Sequence, residues 1–281
     1  SYNSARARFT DALYLLANGY DVYRNDHHAS DALSEGLLTL REVQDFQNQN
    51  TTDIQTVQII QSHQSTALKD RPVEELKRFT LIEVHHAYFT HAQNQIILAC
   101  QHEPQAASAL LALGKLERYL GNTPQNQGIL LNNPRRLLFY QAALATDKNN
   151  YLAANELGVL YTKLGNYNAA KETFLTSLAS HPTPETWHNL KTLHKAHNEG
   201  ALAQLAQQEE SRLRQRLALA KTGKGAEAIA WVNRQTFDQR HATTQPNLRS
   251  ANHQRGAKTP NTSHSKAAPP KDDGSFKWPF F

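Results

Sequence analysis

Histidine is the residue type in this chain that most invites a chemical role, because there are fourteen of them. A metal site on a helix needs ligands three or four residues apart and a further acidic or thiol ligand nearby. His194 and His197 have that spacing, but along the sequence no carboxylate or cysteine joins them at a useful distance. We therefore expect structural or solvated histidines, no metal and no other cofactor.

Catalytic motifs are the second kind of chemistry to look for. The sequence contains no G-x-S-x-G, no H-E-x-x-H, no phosphate-binding loop, no dinucleotide fingerprint and no C-x-x-C. Its one cysteine, Cys100, lies in an apolar stretch and is expected to be a small core residue that forms no internal disulfide. We expect no catalytic residues, and hence no enzyme.

A repeat between Tyr151 and Pro184 shows which elements the chain is built from. Leu157-Gly158 is followed by Tyr161, and then come Ala170, Phe174 and Pro182. This spacing resembles the tetratricopeptide pattern L-G-x2-Y…A-x3-F…P, which has a period of 34 residues and forms two antiparallel helices. The resemblance implies that the glycine lets the two helices touch and that the large side chains fill the space between them. One departure is Ala154, where the family has an aromatic residue.

Two weaker units flank the clear repeat. In residues 107–150, Leu113-Gly114 stands where Leu157-Gly158 stands in the next unit, and Tyr140 stands where Phe174 does. This unit is ten residues longer, and we interpret its turn-rich segment 123–134 as an insertion between the helices. After the clear repeat, Trp187 supplies the aromatic residue, but Lys191 takes the place of the small one. Residues 201–222 then predict a capping helix, with Leu202 and Leu205 among the residues of its apolar side.

The resemblance also implies a binding groove, because the first helices of such repeats line a concave surface that holds peptides. Cationic and amide donors there would suit a peptide with a free carboxylate. The alternative is that the same residues are ordinary solvated charges. The expected groove residues are Lys115, Arg118, Tyr119, Asn155, Val159, Lys163 and His188.

The fold class that follows is all-α. We expect an array of helical hairpins, a tetratricopeptide-like superhelix, with an N-terminal helical region and an irregular C-terminal tail. The expected domains are residues 1–104, 105–222 and 223–281. Within the first, a helix is predicted over 52–68, and another from Pro72 to about His102.

Charge is unevenly distributed along the chain. Residues 1–211 carry 17 Lys+Arg against 21 Asp+Glu, a net charge of −4, whereas residues 212–281 carry 13 against 4, a net charge of +9. The basic segment ends in four aromatic residues, which we expect to anchor the protein to another chain or to its own helices. They are Phe276, Trp278, Phe280 and Phe281.

We expect a non-catalytic scaffold, a structural component of an extracytoplasmic or cell-surface assembly, that binds other protein subunits or copies of itself. The alternative is a protein that grips a polyanion, such as nucleic acid, acidic lipid or wall polymer, through its basic tail; the dispersed Lys and Arg residues make nucleic acid the less favoured partner. The sequence contains no methionine, even at position 1, which leads us to expect a cleaved export signal. An extracytoplasmic setting follows, in the periplasm, on the cell surface or secreted, whereas a shortened chain would leave the cytoplasm as the alternative. No apolar run is long enough to predict a transmembrane segment.

Overall fold

The computed structural model describes residues 1–47, 53–101, 103–120 and 129–221. Within these ranges the chain is all-α, with eleven α-helices, one 3₁₀ helix and no strand, as the sequence predicts. The helices are α1 (Tyr2–Arg24), α2 (His28–Glu42), α3 (Asp53–Ser62), α4 (Val73–Leu76), α5 (Leu81–Cys100), α6 (Pro104–Leu120), α7 (Ile129–Thr146), α8 (Tyr151–Lys163), α9 (Tyr167–Ser180), α10 (Pro184–Ala196) and α11 (Gly200–Lys221). The 3₁₀ helix, Val43–Gln47, follows α2.

The chain divides into two compact units, Ser1–Arg214 and Gln215–Phe281. The first contains α1 to α10 and the greater part of α11. The second is described only over residues 215–221, where α11 ends. All packing reported below lies within the first unit.

The N-terminal helices pack around α5. Helix α2 lies along α5, and they approach closely at Gly36, where a Cβ atom would come 2.8 Å from Cγ1 of Ile96. Helix α1 packs on both α2 and α6, so it joins this region directly to the helices that follow. The fully buried large side chains at this end of the unit are Leu13, Leu33, Leu40, Phe46, Ile60, Tyr88 and Ile96.

The carboxylate of Asp21 caps α2 from a different helix. It is 3% exposed and accepts hydrogen bonds from the backbone N–H of Ala29 and of Ser30, both at 2.8 Å. Burial raises its pKa, but the bonds from Ser30 and Ala29 outweigh that effect and lower the pKa to about 2. Asp21 thereby links the end of α1 to the start of α2.

Two helical hairpins follow, α6 with α7 and α8 with α9, and α10 packs on α9. Local sequence determines where α8, α9 and α10 begin. Asn150 and Asn166 accept hydrogen bonds from the N–H groups of Ala153 and Ala169 at 3.0 and 3.1 Å, and Thr183 caps α10 in the same way.

Several predicted boundaries are wrong. The helix predicted from Pro72 to His102 is two helices, because Thr80 starts a new helix by exchanging hydrogen bonds with Glu83 in a capping box. The helix predicted over 52–68 ends at Ser62. Helix α7 begins at Ile129, inside the segment interpreted as an insertion, and carries Pro134 within it.

Candidate functional site

The crossing of each hairpin is built from one glycine and one aromatic ring. A Cβ atom on Gly158 would lie 2.6 Å from Cδ1 and Cε1 of Phe174. A Cβ atom on Gly114 would likewise meet Tyr140, with 2.6 Å to Cδ1. These distances are far below van der Waals contact, so any side chain larger than that of glycine would collide with the ring. Glycine therefore allows the aromatic ring of the second helix to pack directly against the backbone of the first. The two hairpins therefore share the arrangement that their sequences predict.

The crossing of α10 and α11 is different. Lys191 stands where the glycines stand in the two preceding hairpins, and its Nζ donates to Oε2 of Glu210 on α11 at 2.7 Å. Glu210 is 7% exposed and also accepts from Arg214, at 3.0 Å, and lies 3.4 Å from His188. The bond from Lys191 is the largest influence on the Glu210 pKa and, with that from Arg214, lowers it despite burial. An ion-pair network thus replaces a glycine–ring contact.

Polar contacts link the first helices of successive hairpins side by side. Nζ of Lys115 on α6 lies 3.4 Å from Oε1 of Glu156 on α8. One step further, Nδ2 of Asn189 on α10 donates to Oδ1 of Asn155 on α8 at 2.9 Å. Helices α6, α8 and α10 therefore form a row, which we call the inner row.

Helix α1 extends the inner row at its other end. Tyr2 stacks on Tyr119 of α6, with ring centres 5.0 Å apart and planes 5° from parallel. Both rings are about half exposed. Nε of Arg6 faces Oε1 of Glu117 at 4.0 Å. The inner row thus begins at a pair of stacked tyrosines, one from α1 and one from α6.

The seven residues expected to line the groove all lie on inner-row helices, and they fall into two groups. Four make contacts of their own: Lys115, Tyr119 and Asn155 in the links above, and His188 with Glu210. Arg118 and Lys163 are exposed, whereas Val159 is partly buried. Because Glu156 pairs with Lys115, the charge offered to a ligand comes mainly from Arg118 and Lys163. The four residues of the expected C-terminal anchor lie outside the described residues.

Sequence reasoning missed the partners in these contacts, Glu156, Asn189, Glu210 and Tyr2. Asn189 follows Asn155 by 34 residues, whereas α10 begins 33 residues after α8, at Pro184 against Tyr151, so the two asparagines are not equivalent positions. These contacts depend on how neighbouring helices are placed, which the sequence does not encode locally.

The histidines do not form a metal site in the part of the chain that is described, where no group of three or more His, Cys, Asp or Glu side chains is placed to hold an ion. One expectation about them was wrong, because a carboxylate does join His194. Glu199 lies 2.5 Å from its Nδ1, since the chain turns back after α10 through Asn198, which has a φ of 58°.

A second polar cluster lies between α2 and α5. Nδ1 of His63 is 2.7 Å from the hydroxyl of Tyr88, and its Nε2 is 3.3 Å from Asp45. This order of groups resembles a proton relay, but His63 and Tyr88 are 6% and 1% exposed. Burial, with the charges of Glu42 and Asp45, raises the pKa of Tyr88, which keeps its proton at neutral pH. His63 and Tyr88 are buried and only Asp45 is exposed, so we interpret the cluster as fixing the loop at His63 in place.

The loop after α3 is also held by acidic side chains of α2. Glu42 accepts from the N–H of Gln64 at 2.7 Å, and Glu35 accepts from the N–H of Thr66 at 2.5 Å and faces Nε2 of His91 at 2.9 Å. Burial raises the Glu35 pKa, but the bonds from Thr66 and His91 outweigh it and lower the pKa. Both carboxylates thus already have hydrogen-bond partners, which hold the loop against α2.

No protein-family model matches this chain, and a search of curated proteins finds no significant sequence match to it. Among the described residues, none of the helices combines the length with the apolar character that spanning a membrane requires.

Proposed function

We propose that this protein is a non-catalytic scaffold that binds an extended, acidic segment of another protein along the inner row. The observation that supports this proposal most strongly is the side-by-side linkage of α6, α8 and α10 through Lys115–Glu156 and Asn155–Asn189. Tetratricopeptide-like arrays bind peptides on such a face, and membership of that family is part of the proposal. Copies of this chain or other subunits are the partners that the proposal implies.

The chemistry of the inner row supports an acidic partner. Arg118 on α6 and Lys163 on α8 are exposed cations, and Val159, one helical turn before Lys163, has a partly accessible side chain. Charge-assisted hydrogen bonds to carboxylates are about twice as strong as neutral ones. The half-exposed Tyr2–Tyr119 pair adds a flat apolar surface at the α1 end.

The proposal can be tested with peptides selected from a library that display free C-termini. The dissociation constant of a selected peptide is measured for the wild type, for Val159→Glu and Lys163→Glu on the inner row, and for Thr176→Glu. Thr176 is the matched control, since it is exposed on α9, the second helix of the same hairpin. We expect inner-row variants to bind at least about tenfold more weakly, a loss of about 1.4 kcal/mol, and the control to bind normally. Equal binding by all four proteins would refute the proposal.

Polyanion binding by residues 212–281 is the competing function, and salt separates the two. At the described start of that segment, Arg212 and Arg214 already pair with Glu209 and Glu210 on α11. Phosphate-backbone binding falls steeply with salt because many phosphates are neutralised at once, whereas a peptide held by two exposed cations and by apolar contacts should weaken only moderately at about 0.3 M salt. The extracytoplasmic setting and the C-terminal aromatic anchor stay predictions from the sequence.

A further inference from the structure

A cavity of about 540 Å³ lies between α1, α2 and α5. Its lining residues on α2 all precede Gly36, whereas Leu98 and Gln101 follow Ile96, so the cavity lies to one side of the close crossing of these two helices. The end of α1 and the loop at Thr66 complete its walls. Sites that hold small molecules have volumes of about 300–1,000 Å³, so this cavity has room for one.

The walls of this cavity carry more negative than positive charge. Among the described residues that line it, one is an arginine, Arg24, and three are carboxylates, Asp26, Asp31 and Glu35. Nε of Arg24 lies 3.1 Å from Oδ2 of Asp26, so these two charges compensate each other. The carboxylates of Asp31 and Glu35 stand one turn apart on the same face of α2. With the lining His28 neutral, they leave the cavity with two uncompensated negative charges.

Glu35 is held in position through one of its two carboxylate oxygens. Oε1 accepts hydrogen bonds from the N–H and the hydroxyl of Thr66 and faces Nε2 of His91. Among the described residues, no hydrogen bond reaches Oε2. The side chain is 21% exposed, and its pKa is lowered, so Glu35 is ionised at neutral pH. Glu35 therefore combines a fixed position with an oxygen that is available to a ligand.

The wall contributed by α5 combines amide and apolar groups. Gln95, Leu98 and Gln101 follow one another at intervals of three residues, which places them along one side of the helix and its end. Leu98 is 48% exposed, and Ala32 of α2 adds a second apolar surface. The cavity thus offers two carboxylates, two amides and an apolar surface.

We propose that this cavity binds a small aliphatic diamine, a free molecule in which methylene groups join two ammonium groups. Its two positive charges match the carboxylates of Asp31 and Glu35, and charge-assisted hydrogen bonds of this kind are strong. The amide oxygens of the glutamines accept further ammonium protons, and the methylene groups cover Leu98. In the described part of the chain no three His, Cys, Asp or Glu side chains are placed to hold a metal ion, so an organic cation fits better than a metal. This site does not depend on the scaffold function proposed above.

Isothermal titration calorimetry of the full chain tests the site, with butane-1,4-diamine as the probe and the uncharged butane-1,4-diol as its control ligand. The dissociation constant is measured for the wild type and for two cavity variants, Asp31→Asn and Leu98→Arg. Both positions are exposed, so neither change should prevent folding. The matched control variants are Asp11→Asn and Leu15→Arg, which make the same changes at exposed positions of α1, on the side opposite to its cavity-lining residues.

We expect the wild type and the two control variants to bind the diamine equally and the diol not at all. Asp31→Asn should weaken diamine binding by about threefold to fivefold, the scale of one exposed ion pair. Leu98→Arg should weaken it by at least about tenfold, because the new guanidinium repels the ligand and takes its place. Equal binding by all five proteins, binding of the diol as tight as that of the diamine, or no binding by the wild type at about 10 mM diamine would each overturn the proposal.

A second ligand tests whether the natural source is a free molecule. The dipeptide Lys-Lys, acetylated and amidated at its ends, carries the same two charges on a protein segment. Weaker binding of this dipeptide than of the diamine supports a free diamine. Binding at least as tight overturns that assignment in favour of a lysine-containing protein segment.

Discussion

Adding one methyl group at Gly158 measures how closely α8 and α9 approach. In Gly158→Ala the new Cβ atom would lie 2.6 Å from two carbons of the Phe174 ring and 3.0 Å from a third. Carbon atoms pack at about 3.5–4.0 Å, so the ring must retreat by about 1 Å. Phe174 is 1% exposed, which leaves it little space to move into. Such overpacking costs about 1–3 kcal/mol.

Helix propensity acts in the opposite direction, because alanine inside a helix is favoured over glycine by about 1 kcal/mol. A substitution at Gly19 in α1 measures the helix-propensity contribution alone, since no atom lies within 4 Å of where its Cβ would be. Gly19→Ala should therefore stabilise the protein by about 1 kcal/mol, and the difference between the two variants, about 1–3 kcal/mol, is the steric cost alone. Urea unfolding followed by circular dichroism gives both free energies.

A double-mutant cycle locates the clash. When Phe174→Leu removes the ring, Gly158→Ala should lose its steric cost and approach the value for Gly19→Ala, a coupling of at least about 0.5 kcal/mol. If Gly158→Ala stabilises the protein as much as Gly19→Ala does, the close crossing of α8 and α9 is refuted.

Four further substitutions have defined outcomes. Phe174→Ala should lower the free energy of unfolding in urea by about 3–5 kcal/mol, because it empties the hairpin crossing, whereas Lys115→Ala, which breaks a half-exposed ion pair, should change it by less than about 1 kcal/mol. Asp21→Ala should cost about 1–2 kcal/mol at pH 7 by uncapping α2, and a neutral result would contradict that role. The Asp21 pKa is lowered from its ordinary 3.8 to about 2. Its contribution to the free energy of unfolding is therefore complete above about pH 4 and is lost as the pH falls towards 2. A pH series of urea unfolding curves should show that Asp21→Asn lacks this acid-dependent loss.

Side-chain spacing was sufficient to predict the hairpin from Tyr151 to Pro184. Leu157, Gly158 and Phe174 each have a steric role that few other residue types can fill, so their pattern determines the packing. The start of α5 was also readable, since the sequence T-x-x-E at Thr80–Glu83 is a capping box. It was missed because apolar residues continue on both sides of it.

The apolar face of α11 shows what spacing does not determine. Leu202, Leu205 and Ala206 were expected together on its apolar side. Ala206 is buried as expected, but Leu202 and Leu205 are 40% and 52% exposed, and Ala203 is buried instead. The buried face of a helix is the one that complements its neighbour. Lys191 of α10 faces α11, so the face of α11 that carries Glu210, which pairs with Lys191, is the one that packs there. The links within the inner row escaped prediction for the same reason, because they depend on the register between helices.

The first two hairpins are held at their crossings by a glycine and a ring, whereas α10 and α11 are held by the Lys191–Glu210 ion pair. The forces that stabilise the helix pairs therefore differ along the array. Ring packing is indifferent to pH, whereas the Lys191–Glu210 ion pair, although largely buried, is lost when acid protonates the carboxylate. Stability in stacked helical units is approximately a sum of local terms, so such an array opens first where its weakest junction lies. The amide protons of α10 should therefore exchange with solvent through partial openings that leave α8 and α9 protected, and Glu210→Gln, which removes the ion pair, should widen that gap in exchange rates. We thus expect α10 and α11 to open and re-form while α8 and α9 keep their structure.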